Sequence, residues 1–315
     1  MHLLLPFAVG TDPASKDTLR HLALPNLTRL LNHLQPPGLQ AHPTHKHALA
    51  HEQVLALALG WPEDQPLPWA ARHAAAMGLP TDDVAYAFIT PCHWEVGTSQ
   101  VQMLDPVLLN LQEVESRALL AAMTPYAQED GITLMYAQPS RWLASGEMFR
   151  HLHSASVERV LHQDLADWMP ASSVLRRLQN EMQMLLYTHP VNDERSARRA
   201  LPVNSFWVSG SGVLPVSTAQ ASDLPVVAEG LMAPALAQDW TRWGEVWQEL
   251  DATHIATLLQ RVQSVDTPVQ LTLCGDAGYV TFSSNATPPA AWRKAWRQVQ
   301  TLWQPSPWTY WLETL

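Results

Sequence analysis

The chain has 315 residues, 47% of them hydrophobic, which is enough to bury one large core or two smaller ones. It carries 29 acidic and 19 basic residues, and its formal charge of -10 disfavours a phosphate backbone, so we expect no nucleic-acid partner. No apolar run of about 18 residues predicts a membrane span, and the distant Cys92 and Cys274 predict buried thiols. We therefore expect a cytoplasmic protein without a membrane partner.

Short β-like runs alternate with helical patterns, which favours an α/β architecture. The opening run lacks the basic start and cleavage site of a signal peptide and predicts a strand. Strands are predicted at residues 2 to 9, 84 to 90, 132 to 137, 203 to 209 and 269 to 274. Helices are predicted at residues 24 to 34, 47 to 60, 114 to 123, 174 to 187 and 290 to 303. Thr44 is a candidate N-cap for the second helix, and Ser172 or Ser173 for the fourth.

The segment at residues 189 to 212, HPVNDERSARRALPVNSFWVSGSG, combines a helix end, a basic helix and a strand. Pro190 ends the first helix, three arginines follow, and the strand opens onto Gly210 and Gly212 in a predicted turn. This order resembles the archaeal-type cofactor-independent phosphoglycerate mutases. A Gly-x-Gly alone would be a weak signal.

Further stretches occur in the order of the same family. They resemble the strand that opens its inserted domain, an acidic turn, an arginine-bearing turn between strands, and the strand and helix after the Gly-x-Gly loop. These stretches lie at residues 82 to 88, 103 to 106, 131 to 147 and 224 to 237. Within the family, the chain most resembles the bacterial RpfE-type regulatory protein group.

The resemblance implies an alkaline-phosphatase-like core sheet with an inserted smaller α/β lobe. Residues 1 to 81 and 204 to 315 would form the core, and residues 82 to 203 the inserted lobe. We expect the strand at 203 to 209 to lie in the same sheet as the first strand. Pairing of this strand only with strands of the inserted lobe would count against the superfamily.

The family transfers phosphate through a serine and two divalent metals held by Asp and His, and most of these positions differ here. Pro6 and Phe7 stand where the family's first strand ends in an Asp-Gly ligand turn, which leaves Asp12 as the nearest carboxylate. No serine precedes the helix where the family's nucleophile lies. Thr44 is therefore either a substitute nucleophile or simply a helix cap.

The family's late Gly-Asp-His motif is also altered. The chain keeps Asp276 but has Ala277 in place of the histidine. Asp251 and His254 are a candidate remnant of the family's Asp-x-x-x-His cluster, although their spacing differs. Because each cation needs about three or more protein ligands, a two-metal site cannot be built from what is left. We expect no cofactor, or Mn or Zn if a divalent metal is bound.

Four histidines lie between residues 42 and 51 and are the most specific remaining candidates for a metal site. His47 and His51, four residues apart, would share one helix face and could hold a metal there. The alternative is a partly exposed helix start in a histidine-rich chain. With Asp12 and Asp276, these two histidines complete the metal candidates.

Basic and polar residues predict a ligand site in a cleft between the core and the inserted lobe. The candidates are Arg141, Asn192, Arg195, Asn204 and Ser211. Together with backbone N–H groups of the Gly-x-Gly turn they would bind a small anionic or phosphorylated ligand. Both arginines would then be cleft residues and not core residues. The alternative is a solvated basic helix.

Tryptophans recur at helical spacing late in the chain. One group is Trp240, Trp243 and Trp247, and the other is Trp292, Trp296, Trp303, Trp308 and Trp311. Core packing is one interpretation, and a protein-partner interface formed by the Trp-rich C-terminal region is the other.

Two functions fit these patterns. The first is a degenerate relative of cofactor-independent phosphoglycerate mutase, catalytically impaired, with a regulatory or ligand-binding role. The second is an active metal-dependent phosphoglycerate mutase or phosphatase that uses Thr44, Asp12, Asp276 and some of the clustered histidines. Metal content distinguishes the two.

Overall fold

The computed structural model describes residues 1–35, 47–216, 224–264, 268–276 and 278–284. The chain divides into two compact units. The first unit comprises Met1–His45, Leu49–Gly60 and Thr218–Leu315, and the second comprises Lys46–Ala48 and Trp61–Ser217. None of the helices in the described residues is both long enough and apolar enough to cross a membrane.

Strands and helices alternate along the described chain, which confirms the predicted α/β class. The strands are β1 (His2–Leu5), β2 (Ala85–Cys92), β3 (Trp94–Val96), β4 (Val101–Met103), β5 (Thr133–Gln138), β6 (Arg141–Ser145), β7 (Ser205–Val213), β8 (Val226–Val227), β9 (Gln270–Cys274) and β10 (Tyr279–Ser283). The helices are α1 (Pro13–His21), α2 (Pro25–Leu31), α3 (Ala50–Ala58), α4 (Trp69–Ala76), α5 (Glu113–Glu129), α6 (Val157–Val160), α7 (Ser173–Tyr187), α8 (Pro190–Ala197), α9 (Met232–Leu236), α10 (Trp240–Leu250) and α11 (Ala256–Ser264).

The first unit is organised around a four-stranded sheet in the order β10-β9-β1-β8. β1 is parallel to both of its neighbours, and β10 is antiparallel to β9. Leu3, Leu4 and Leu5 are fully buried, as expected for a parallel strand that is covered on both faces. Trp243 and Trp247 of α10 are also fully buried in this core. Core packing is therefore the correct interpretation for these two tryptophans.

The second unit contains an antiparallel sheet in the order β5-β6-β2-β7, together with a separate hairpin of β3 and β4. Side chains alternate between the faces of β2. On one face, Ala87 and Ile89 pack with residues of α5 and α7. On the other face, Tyr86 and Phe88 pack with the alanines of α4. The sheet is thus covered by helices on both faces.

The predicted strands all occur, with ends shifted by a few residues. Four of the predicted helices also occur, as α2, α3, α5 and α7. The predicted N-cap Ser172 is confirmed, because its hydroxyl accepts a hydrogen bond from the N–H of Leu175 at 3.2 Å. The helix predicted at 290 to 303 and the tryptophans from Trp292 onward lie outside the described residues.

The prediction that residues 203 to 209 join the sheet of the first strand is wrong. β7 pairs with β2, with Ser205 opposite Cys92 and Val213 opposite Ala85. A period of two identifies a strand and its buried face, but it does not identify the neighbouring strand. The second unit also extends beyond residues 82 to 203 at both ends.

Candidate functional site

The carboxyl edge of the first unit's sheet brings two distant loops together. Because β1 and β9 are parallel, the segments that follow Leu5 and Cys274 leave the sheet at the same edge. The N–H of Ala8 donates to the carbonyl of Cys274 at 2.8 Å. The hydroxyl of Thr11 donates to the carboxylate of Asp276 at 2.9 Å. Asp276 thus lies beside the turn that carries Asp12.

The carboxylate of Asp12 caps a helix. Asp12 is the N-cap residue of α1, and its Oδ1 accepts the N–H of Ala14 at 2.7 Å. Pro13 follows as the first helical residue, a position where a missing N–H costs nothing. The carboxylate of Asp12 therefore already has a structural role as the N-cap of α1.

Phe7, directly after β1, adopts a left-handed backbone conformation with a φ of 53°. A bulky residue rarely adopts this conformation. The indole N–H of Trp243 donates to the carbonyl of Phe7 at 3.0 Å and helps to hold it. The ring of Phe7 lies 6.0 Å from that of His51, centroid to centroid. Burial lowers the pKa of His51 to about 4, so its imidazole is neutral at pH 7.

The prediction that His47 and His51 share a helix face is wrong. α3 begins at Ala50 with Leu49 as its N-cap residue, so His47 precedes the helix. The ring of His47 lies instead 6.2 Å from that of His153. Thr44 lies outside the described residues. Among the residues that are described, no group of three or more His, Cys, Asp or Glu side chains could hold a metal ion.

Asp251, the candidate remnant of a metal cluster, is also a helix cap. Its side chain is 3% exposed and accepts the N–H of Leu27 at 2.7 Å and that of Asn26 at 3.1 Å. These two N–H groups belong to the first turn of α2, where no intrahelical acceptor exists. The carboxylate of Asp251 binds the end of a helix and is therefore not available as a metal ligand.

The prediction that Arg195 faces a cleft is wrong, because its side chain is 1% exposed. Its Nε donates to the carbonyl of Leu201 at 2.7 Å, and its Nη2 donates to the carbonyl of Leu109. Its Nη1 donates to the carboxylate of Glu115 at 2.8 Å. All three guanidinium nitrogens are therefore engaged inside the second unit.

Glu115 accepts hydrogen bonds from Arg198 and from the backbone of Gln112 as well as from Arg195. Burial alone would raise the pKa of Glu115. The hydrogen bond from Gln112 and the two arginine charges outweigh burial and lower the pKa. This buried cluster ties α5 to α8.

The predicted ligand residues Asn192 and Asn204 bind main chain. Asn192 donates to the carbonyls of Leu186 and Val203 at 2.8 and 2.7 Å and accepts the N–H of Val203 at 2.9 Å. Asn204 accepts the N–H of Trp94 at 2.7 Å and donates to the carbonyl of Trp94 at 2.9 Å. Each amide is thus engaged by main-chain groups of the second unit.

Ser211 and Arg141 have different environments. The buried hydroxyl of Ser211 donates to the carbonyl of Leu152 and lies 2.9 Å from that of Ser154. The guanidinium of Arg141 lies 4.8 Å from the centre of the Phe88 ring. Of the two arginines among the predicted ligand residues, Arg195 is buried and Arg141 is half-buried.

The predicted Gly-x-Gly turn is part of a strand. Gly210 and Gly212 lie inside β7, with φ of 60° and 137°, where its pairing with β2 is irregular. A Cβ at Gly210 would lie 3.0 Å from the Phe88 ring and 3.2 Å from Trp69. Glycine is needed here for close packing and for the positive φ. The proposed anion-binding turn at a strand end is therefore wrong.

A cleft of about 400 Å³ lies within the second unit, beside β3, α7 and α8. Its lining residues are Trp94, Val96, Gln183, Leu186, Tyr187, Asn192, Asp193, Ser196, Pro202 and Asn204. Two of these, Asn192 and Asn204, were predicted as ligand residues. The aromatic residues and Asp193 were not, because nothing in their local sequence distinguishes them from solvated surface residues.

No protein-family model matches the chain, and no curated protein matches it. Among solved structures, the chain is similar to the PH0037 protein from Pyrococcus horikoshii, with 12% identity, a TM-score of 0.46, and 94% of this chain and 91% of that chain covered. It is also similar to a cofactor-independent phosphoglycerate mutase from Thermoplasma acidophilum, with 12% identity, a TM-score of 0.36, and coverage of 90% and 89%. At TM-scores below 0.5, neither likeness carries an argument about function.

Proposed function

We propose that this protein is a catalytically impaired relative of the cofactor-independent phosphoglycerate mutases, with a regulatory or ligand-binding role in the cytoplasm. The proposal includes an alkaline-phosphatase-like core with an inserted lobe. Its first support is the order of motifs along residues 1 to 240, which follows that family. A relative that has lost its catalytic residues would keep this order of motifs but lack the metal ligands and the nucleophile.

The conformation of Phe7 carries the proposal. In the family an Asp-Gly pair ends the first strand, and Pro6-Phe7 occupies the corresponding position here. Phe7 has a φ of 53°, a conformation that glycine adopts without strain. A positive φ at this position is what a former Asp-Gly turn would leave behind, and it supports the loss of the metal-binding carboxylate from an inherited turn.

A two-metal centre does not fit the residues at this edge of the sheet. Asp12 caps α1, and Asp276 accepts the hydroxyl of Thr11. Each metal would need about three protein ligands or more. The described residues at this edge of the sheet therefore supply too few ligands for two metals.

One finding counts against the superfamily. β7 pairs with β2, whereas the resemblance led us to expect it in the sheet of β1. The proposed relation thus rests on the motifs and on the turn at Phe7.

The alternative is an active metal-dependent mutase or phosphatase. Its support is the hydrogen bond between Thr11 and Asp276, which brings two sequence-predicted acidic metal candidates, Asp12 and Asp276, to one edge of the sheet. Thr44 would then be the nucleophile.

Metal content tests the proposal. We would load the purified protein with Mn or Zn, dialyse it, and measure bound metal for the parent and for Asp276→Asn. We expect well under one equivalent in both proteins. Two tightly bound equivalents that are lost in Asp276→Asn would overturn the proposal in favour of the active enzyme.

A thermal-shift screen with phosphoglycerates tests the ligand-binding role without metal. A ligand at 100 times its dissociation constant adds about 2.7 kcal/mol to the free energy of unfolding. The expected site residue is the half-exposed Arg141, so Arg141→Ala should remove the shift. A shift that persists in this variant contradicts a role for Arg141.

A further inference from the structure

The cleft of the second unit has a fixed aromatic wall. Trp94 lies in edge contact with the buried Trp207, with their ring centroids 6.4 Å apart. Trp207 is itself anchored, because its indole N–H donates to the carbonyl of Ala155 at 2.8 Å. The backbone of Trp94 is held by Asn204. The ring of Trp94 thus packs against an anchored neighbour before any ligand binds.

Two apolar side chains at the rim of the cleft are exposed to solvent. Tyr187 at the end of α7 is 82% exposed, and Val96 of β3 is 78% exposed. Both line the cleft. Exposed apolar groups that border a concave site are typical of ligand recognition.

The charge of the cleft is negative. Asp193 is the one charged residue in its lining, and it forms no ion pair with any of the described residues. The nearby cations Arg195 and Arg198 both bind Glu115. A phosphate or carboxylate would find no cation among the lining residues, so an anion does not fit this cleft.

We propose that this cleft binds a small organic cation, an alkylammonium or alkylguanidinium group. The positive charge lies against Asp193, and the alkyl part packs against Trp94 and Tyr187, an arrangement that combines an ion pair with apolar contact. Asn192 and Asn204 shape the floor but already bind main chain. The inference does not depend on the proposed family relation.

The cation can come from a free amine or from a Lys or Arg side chain of a peptide. We would titrate the full-length protein, labelled with ¹⁵N at its indole nitrogens, with n-butylammonium, with neutral n-butanol, and with the peptide acetyl-Ala-Lys-Ala-amide. Trp94→Phe assigns the reporting resonance. A peptide that binds more tightly than butylammonium indicates the peptide source, and equal affinities indicate the free amine.

Asp193→Asn is the decisive variant, and Glu194→Gln is its matched control. The two residues are neighbours in α8, both are exposed and both changes remove one negative charge, but only Asp193 lines the cleft. We expect butylammonium to shift the Trp94 resonance saturably, Asp193→Asn to weaken binding about tenfold, and Glu194→Gln to change it less than about twofold. Unchanged amide spectra confirm the fold of each variant.

Equal weakening by the two substitutions overturns the proposal, because it would show only attraction to a net-acidic protein. Butanol that binds as tightly as butylammonium also overturns it. So does the absence of any saturable shift with both cationic probes.

Discussion

The carboxyl edge of the first unit's sheet and the Glu115–Arg195 cluster of the second unit both contain residues that resemble site residues in sequence. At the sheet edge, Asp12 is half-exposed and binds one local N–H group. In the cluster, Arg195 is 1% exposed and uses every guanidinium nitrogen within the protein. Burial and hydrogen-bond saturation therefore separate structural polar residues from available ones, and residue type does not.

The largest effect that this comparison predicts follows from Arg195→Ala. The substitution leaves Glu115 buried without its main partner, and we expect the free energy of unfolding to fall by about 3–5 kcal/mol. The family resemblance would have predicted an intact fold. Urea denaturation measures the change, and Arg141→Ala, which removes a half-exposed guanidinium, should cost less than about 1 kcal/mol. Equal losses of unfolding free energy in the two variants would show that Arg195 is no more important to the fold than Arg141.

An intermediate effect is expected at Asp251. Asp251→Ala removes the acceptor of two N–H groups at the start of α2. We expect a loss of about 3 kcal/mol, because each buried unsatisfied N–H group costs roughly 1–3 kcal/mol. Asp12→Ala is the matched cap variant at a more exposed helix, and about 1 kcal/mol is expected there. A smaller loss for Asp251→Ala than for Asp12→Ala would contradict the comparison.

A smaller effect is expected from pH at His51. Burial lowers the pKa of His51 from 6.5 in the unfolded chain to about 4 in the folded protein. The unfolded state therefore takes up a proton first as the pH falls, and the stability that is present above pH 6.5 is lost toward pH 4. We expect a loss of about 1.6 kcal/mol between pH 6.5 and pH 5 from this group.

Urea denaturation at a series of pH values checks this expectation. His51→Gln, which cannot titrate, should lack this part of the pH dependence, and the exposed His21→Gln should keep it. Identical pH profiles for the parent and His51→Gln would show that His51 is not buried as described.

Local sequence patterns predicted much of the fold. The leucines of β1 and the residues of β2 were recognised because each strand is a short, mostly apolar run, as expected for a strand that is buried on both faces. α4 was missed, since its run of alanines shows no contrast between an apolar and a polar face. The partner of β7 was predicted wrongly because strand pairing depends on contacts between distant residues.

The same limit applied to the candidate site. Asp251 binds Asn26 across 225 residues of chain, and Arg195 binds Glu115 across 80. No local sequence motif predicts pairs of residues this far apart in the chain. Asp251 therefore resembled a metal ligand, and Arg195 resembled a ligand-binding residue. Asp193 was overlooked because it looks like an ordinary surface residue. An exposed acidic residue in the first turn of a helix normally only complements the helix dipole.

A phosphoglycerate isomerisation assay with titrated Mn tests most directly whether catalysis has been lost. The assay should compare the parent with Asp276→Asn and Asp12→Ala over the same range of Mn concentrations. We predict that all three proteins give the rate of the enzyme-free blank at every Mn concentration. A saturable Mn-dependent rate in the parent that disappears in Asp276→Asn would contradict the account and identify an active metal-dependent enzyme.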